Sequence, residues 1–289
     1  MSTVKRIFPP ASEWLFFKIY VGKNMAENLI ITLGKRANEL IECKVIKKWF
    51  FIRYSDPNFH IRFRICCPLQ NRMIVLDEFN DILSELLSDR IIHNICIDCY
   101  HREIERYGEQ TIEYVENLFC TDSYTILGIL SVVAKESINS EEFKLKASIL
   151  LIEKYFDVFN FSLKDRLSIL EEMSSNMYLE FGFNSDNRKS LNELYRRYKD
   201  IVNSVYQNKE EKEVFLIESE LNEHHPNYAY LAEKLISVIG SDTDFLLKSL
   251  YSYIHMTMNR LWPDKNRMYE LIVYDFLRRY YRGYIARKG

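Results

Sequence analysis

The chain has 289 residues, 47% hydrophobic and 28% charged, enough apolar content to give one large domain or two small ones a proper core. A formal net charge of −2 argues against general binding to nucleic acid or to anionic membrane surfaces, since both call for a basic excess. No apolar stretch reads as long enough to span a bilayer, and residues 1–10 lack the apolar core of a signal peptide, so a cytoplasmic location is expected.

In chain order, 14–21 reads as a strand and 24–40 as an amphipathic helix. Strands 48–54 and 58–66 flank Ser55-Asp56-Pro57-Asn58, a strong turn signal. A helix over 73–87 and a fourth strand over 91–100 complete the order β-α-β-β-α-β. That order is a ferredoxin-like split βαβ unit with an antiparallel sheet, and it should close near Gly108. From 111 onward every periodic segment is helical: 111–120, 123–135, 141–158, 163–178, 188–208, 211–222, 227–238, 243–262 and 265–284. Breaks are expected at 137–141, 182–186, 224–227 and 240–244, two of which supply capping side chains. The fold class is therefore α+β. An α/β ferredoxin-like unit over 1–108 precedes a helical part over 109–289 that packs against it, the two forming one functional domain.

Six cysteines fall at 43, 66, 67, 96, 99 and 120. Cys96 and Cys99 have the spacing of a zinc or redox pair, but in a strand an odd offset sends the thiols to opposite faces, so reduced, buried cysteines are expected. His224-His225-Pro226 lacks further ligands at metal spacing and reads as a loop. Arg278, Arg279, Arg282, Arg287 and Lys288 enrich a helix end in positive charge, which the helix dipole favours.

Three remote segments carry the chemistry. In 59–65, His60, Arg62 and Arg64 alternate with Phe59, Ile61, Phe63 and Ile65, so a strand places one imidazole and two guanidiniums on one face. Guanidinium is costly to bury without an anion, so these arginines either grip a carboxylate ligand or pair with acids such as Glu103 and Glu105. In 100–108, Tyr100 and Arg102 share a strand phase, while Arg102, Glu105 and Arg106 would share a helix face. In 255–260, His255 is followed within about a turn by Asn259 and Arg260, which could orient it or hold a carbonyl. Asn266 and Glu270 read as caps or packing for the last helix.

Trp49-Phe-Phe-Ile-Arg53-Tyr-x-Asp56-Pro57-x-x-His60-x-Arg62-x-Arg64, then Tyr100-x-Arg102-Glu-x-Glu-Arg106-Tyr-Gly108, Asp122-Ser123 and His255-Met-x-x-Asn259-Arg260-Leu261 resemble, in order and spacing, the C-terminal glutamate-elimination domain of class I lantibiotic dehydratases. Standing alone, that domain is known as the thiopeptide-type bacteriocin biosynthesis domain. The likeness runs from Trp14 to about Leu277. It implies a lyase that removes glutamate from glutamylated Ser or Thr of a precursor peptide, leaving dehydroalanine or dehydrobutyrine. It further implies no cofactor and no metal, a separate glutamyl-tRNA-dependent glutamylating dehydratase subunit as partner, and compatibility with a homodimer. By resemblance Arg62, Arg64 and Arg102 would clamp the glutamyl group, and His255 would transfer a proton, as base or acid. Arg53, His60, Tyr100, Arg106, Asn259 and Arg260 would bind or support the substrate. Two alternatives remain: a thiopeptide pyridine synthase, which joins two dehydroalanines by a formal aza-[4+2] cycloaddition and releases the leader, and a non-catalytic precursor-binding scaffold. Retention of the arginine–histidine set points to elimination.

Overall fold

The computed structural model describes residues 4–136, 138–208 and 210–288. Its strands are β1 (Ile7–Phe8), β2 (Trp14–Val21), β3 (Lys48–Ser55), β4 (Phe59–Cys66), β5 (Ile92–Ile97) and β6 (Tyr100–His101). Its α-helices are α1 (Ala26–Glu42), α2 (Arg72–Ser88), α3 (Ile104–Tyr107), α4 (Ile112–Lys135), α5 (Ser140–Val158), α6 (Leu163–Glu180), α7 (Ser185–Gln207), α8 (Lys212–Ile239), α9 (Thr243–Leu261) and α10 (Asn266–Lys288). The chain forms two compact units: Met1–Ser131 with Lys234–Ser249, and Val132–Glu233 with Leu250–Gly289.

In the first unit the main sheet runs β3-β4-β2-β5, every neighbour antiparallel, which is the ferredoxin-like arrangement the element order predicts. The alternation in β4 sets its faces. Ile61, Phe63 and Ile65 are fully buried; Phe17 of β2 stacks on Phe79 of α2, and Phe63 packs against the same ring at a tilt. Gly34 lets α1 approach closely: a Cβ there would meet Leu127 of α4 and Trp49 of β3 at 2.9 Å. Gly34→Ala is therefore expected to destabilise this unit by about 1–3 kcal/mol through overpacking, read as a lower urea midpoint; an unchanged midpoint would show that the neighbours yield freely.

Edge strand β3 is covered by α4, whose Ser123 and Tyr124 hydroxyls accept the outward N–H groups of Phe51 (3.2 Å) and Trp49 (3.4 Å). This explains one departure from the predicted elements. Residues 111–120 and 123–135 form a single helix, because Ser123 donates to Phe119 O (2.7 Å) inside α4 instead of capping a new start. Likewise 211–222 and 227–238 merge into α8, which continues through Pro226. Proline there costs one backbone hydrogen bond, which a helix of 28 residues absorbs. The predicted strand 91–100 divides because Asp98 turns its carboxylate onto Cys99 N (2.7 Å), and β6 then pairs with β1, a two-residue strand too short to show any period. Against the sequence expectation, α4 is long and apolar enough to cross a membrane; 61% of that window is buried in this fold.

The second unit consists of helices. Phe143, Ile149, Tyr155 and Phe156 of α5 and the run Glu270–Leu277 of α10 are buried. The capping boxes Ser162–Asp165 and Asn184–Asn187 set the starts of α6 and α7. Arg278 and Arg279 pair with buried Asp275 (both 2.6 Å), so a specific carboxylate as well as the helix dipole holds that basic end.

Candidate functional site

The sheet face opposite α1 and α2 carries the predicted polar set. Register places His60 between Tyr20 and Tyr54, Arg62 between Lys18 and Ile52, and Arg64 between Phe16 and Phe50. His60 is buried against the rings of Tyr20 (4.8 Å) and Tyr54 (5.5 Å), with Nδ1 2.8 Å from Asn58 O. Burial, and then the neighbouring cations, hold its imidazole below the ordinary value, and Nε2 accepts from Arg62 Nε at 3.3 Å. The Arg62 guanidinium lies 3.3 Å over the Tyr54 ring, is half-buried, and has no carboxylate at ion-pair distance among the described residues.

Arg64 is buried in a cage of Phe16 (4.3 Å), Phe50 (5.1 Å) and Tyr100 (5.1 Å). On β6, the Tyr100 hydroxyl donates to Glu116 Oε1 (2.8 Å), and Arg102 grips the same carboxylate through Nε (2.7 Å) and Nη2 (2.8 Å). Glu116 is 0% exposed. Burial works against the Arg102 charge, yet Glu116 outweighs it and raises the guanidinium; burial and Glu116 together push the Tyr100 phenol well up. Arg102 Nη1 reaches Lys5 O (3.2 Å) and Glu113 (3.3 Å). Arg102 also borders a cleft of about 560 Å³ whose wall includes Lys48, Cys66, Trp14 and Asn117.

Arg62, Arg64, His60, Tyr100 and Arg102 are thus gathered in the first unit. Two other residues of that unit lie elsewhere. Arg53 points to the helix-covered face, 3.9 Å from Glu27 of α1, where burial pulls its guanidinium down to about 10. Arg106 is exposed on α3 and pairs with Glu103 (3.4 Å). Glu105 and Glu103, expected as possible partners of the β4 arginines, bind Arg6 (2.7 Å) and Arg106 (3.4 Å) respectively.

His255, Asn259 and Arg260 belong to the second unit, on α9. His255 Nδ1 lies 2.8 Å from Glu270 Oε1 of α10; the imidazole is 30% exposed and Glu270 is fully buried. Arg267 binds Glu270 Oε2 and also Glu180 of α6, and the Tyr274 hydroxyl donates to Oε2 (3.5 Å). Burial and the Glu270 carboxylate push the Tyr274 phenol well up. Asn259 is half-buried one turn beyond His255, and Arg260 is fully buried. Among the described residues, no group of three or more His, Cys, Asp or Glu side chains is placed to hold a metal ion.

The family model for the C-terminal part of lantibiotic biosynthesis dehydratases matches residues 14–281. The chain belongs to this family. Among curated relatives, this dehydratase-family chain is 29% identical over 195 residues to the nisin biosynthesis protein NisB of Lactococcus lactis subsp. lactis, covering 67% of the chain and 17% of that protein. It is 28% identical over 171 residues to the subtilin biosynthesis protein SpaB of Bacillus subtilis, covering 58% of the chain and 16% of SpaB. The matched region thus spans about one sixth of these relatives. In fold, the chain resembles the tRNA-dependent lantibiotic dehydratase MibB from Microbispora sp. 107891, with TM-score 0.77 at 17% identity over 97% of this chain and 29% of that one. It also resembles TbtD, the pyridine synthase of thiomuracin biosynthesis, with TM-score 0.56 at 12% identity over 94% of this chain and 99% of that one.

Glu270, expected as a cap or packing residue of the last helix, lies buried within α10 against His255, and Glu116 escapes the motifs altogether. Glu270 opens the run Leu271-Ile272-Val273-Tyr274, and Glu116 follows Val115 and precedes Leu118-Phe119. A lone acid set in an apolar helical run is the signal that finds both, because a buried carboxylate needs a cation or a donor.

Proposed function

We propose that this dehydratase-family domain is a lyase that eliminates glutamate from glutamylated Ser or Thr of a precursor peptide. The observation that carries this reading is the His255–Glu270 pair. A carboxylate can only accept from Nδ1–H, which leaves the Nε2 lone pair to take the α-proton, and buried Glu270 offsets the imidazolium that forms. The base role left open by the sequence is therefore the one favoured. As the Cα–H electrons become the Cα=Cβ bond, the Cβ–O bond breaks and its electron pair departs on the glutamate carboxylate. Negative charge builds on the peptide carbonyl and then on the leaving group, where fixed guanidiniums stabilise it most effectively. Arg62 suits that task best, since its charge meets no carboxylate at ion-pair distance among the described residues. Arg64 and Arg102 support it by holding positive charge around Tyr100.

The substrate partner is then a precursor peptide already esterified by a separate glutamyl-tRNA-dependent subunit. Two substrates decide between readings. Given a peptide bearing a glutamyl ester, the protein is expected to yield dehydrated peptide without ATP or tRNA. Given an already dehydrated, azole-bearing peptide, it should leave it unchanged. Conversion of the second into a macrocycle with leader loss establishes the pyridine synthase instead. Arg62→Ala should slow elimination at least about tenfold while shifting the melting temperature by no more than about 2 °C, since no ion pair is broken. Unchanged turnover in that variant would remove Arg62 from the chemistry.

A further inference from the structure

At the second edge of the sheet, β5 pairs with β2 alone among the described residues. Asp98 N donates to Phe16 O (3.0 Å), so by the alternation of an antiparallel ladder the pairs Lys18–Cys96 and Tyr20–Asn94 are the bonded ones. The main-chain N–H and C=O of Ile95 and Ile97 therefore point away from β2. The side chains of the same two residues lie on the α2 side, lining a groove of about 250 Å³ with Phe17, Leu76, Leu83 and Asp77. Ile97 of this lining is 45% exposed, and α2 also exposes Met73 (57%) and Ile74 (48%). Asp77, Asp81 and Glu85 follow one another at i+4 along α2, all exposed, and none has a cation at ion-pair distance among the described residues.

We propose that the β5–α2 edge docks an extended, basic peptide segment as an added strand, its alternate apolar side chains entering the groove and a lysine or arginine meeting the acids of α2. The unmet ladder groups, the apolar floor and the acidic rim each select one feature of that ligand. A second copy of this chain fits less well: two β5 edges paired about a two-fold axis bring two acidic α2 helices together, and like charges oppose that pairing. The inference goes beyond the elimination chemistry and does not depend on it.

The test uses the full chain and fluorescein-labelled eight-residue peptides that carry no ester. One alternates valine with lysine and threonine; its counterpart has glutamate in place of lysine. By fluorescence polarisation the basic peptide should bind and the acidic one should not. Ile97→Pro removes an outward donor at an exposed position and spares the bonds to β2, so it should weaken binding about five- to tenfold. Asp77→Lys with Asp81→Lys, both surface changes, should exchange the preference between the two peptides. Three results overturn the proposal: no binding of the basic peptide, equal binding by all variants, or a dimer that Ile97→Pro dissociates, which would assign the edge to a second copy.

Discussion

His255→Ala is expected to leave a glutamylated peptide accumulating, with elimination slowed about 10²- to 10⁴-fold, the span over which a positioned acid or base acts. The argument rests on the buried carboxylate behind the ring. Glu270 Oε1 lies 2.8 Å from Nδ1, where it can accept from Nδ1–H and would stabilise the imidazolium once Nε2 has taken the α-proton. Glu270→Gln provides the second arm. Its carbonyl still accepts from Nδ1–H but brings no charge, so turnover should fall part of the way while the fold is kept. A purely structural Glu270 would lower stability and leave the turnover of the folded protein unchanged. If His255→Ala eliminates glutamate at the parental rate, the base is some other group.

The second large effect concerns stability. Glu116→Ala leaves the Arg102 guanidinium buried with no carboxylate on Nε and Nη2, removes the acceptor of the Tyr100 hydroxyl, and takes away a charge 3.8 Å from Lys48. Breaking a buried pair from one side costs about 3–5 kcal/mol. For a unit of this size that is a fall of roughly 6–20 °C in the melting temperature. Arg102→Ala should cost a similar amount, whereas Glu116→Met combined with Arg102→Met should recover most of it, because no lone charge then remains inside. A loss below about 1 kcal/mol for Glu116→Ala would mean that the pair is solvated and that Arg102 is free to bind ligand directly. Activity measured on Arg102 variants must therefore be read against their stability, and Arg62 is the cleaner probe of anion binding.

Much of the first unit was legible because its strands alternate. The period of two in 59–65 placed Arg62 and Arg64 on one side and Ile61 and Phe63 on the other, and Asp56-Pro57 marked the hairpin. Legibility stopped where tertiary partners override local signals. The expected gap between helices 111–120 and 123–135 closes where the edge strand presents Phe51 N to the Ser123 hydroxyl, and Pro226 resembles a break until α8 proves long enough to absorb it. The arginines illustrate a further limit. Residue type and spacing could gather Arg62, Arg64 and Arg102, yet not distinguish a guanidinium caged by aromatics from one held by Glu116 or one lying over Tyr54. That distinction depends on residues outside the local window, 8 positions away for Tyr54 and 14 for Glu116, as does the partner of His255, 15 away.

The most direct measurement uses a peptide whose serine carries both the glutamyl ester and a deuterium on its α-carbon, incubated with the protein alone and followed by mass spectrometry. Elimination predicts a dehydroalanine product that has lost glutamate and the deuterium together, slower than its protium twin. Glutamate released with the deuterium retained and serine restored, or an ester that persists, would contradict it.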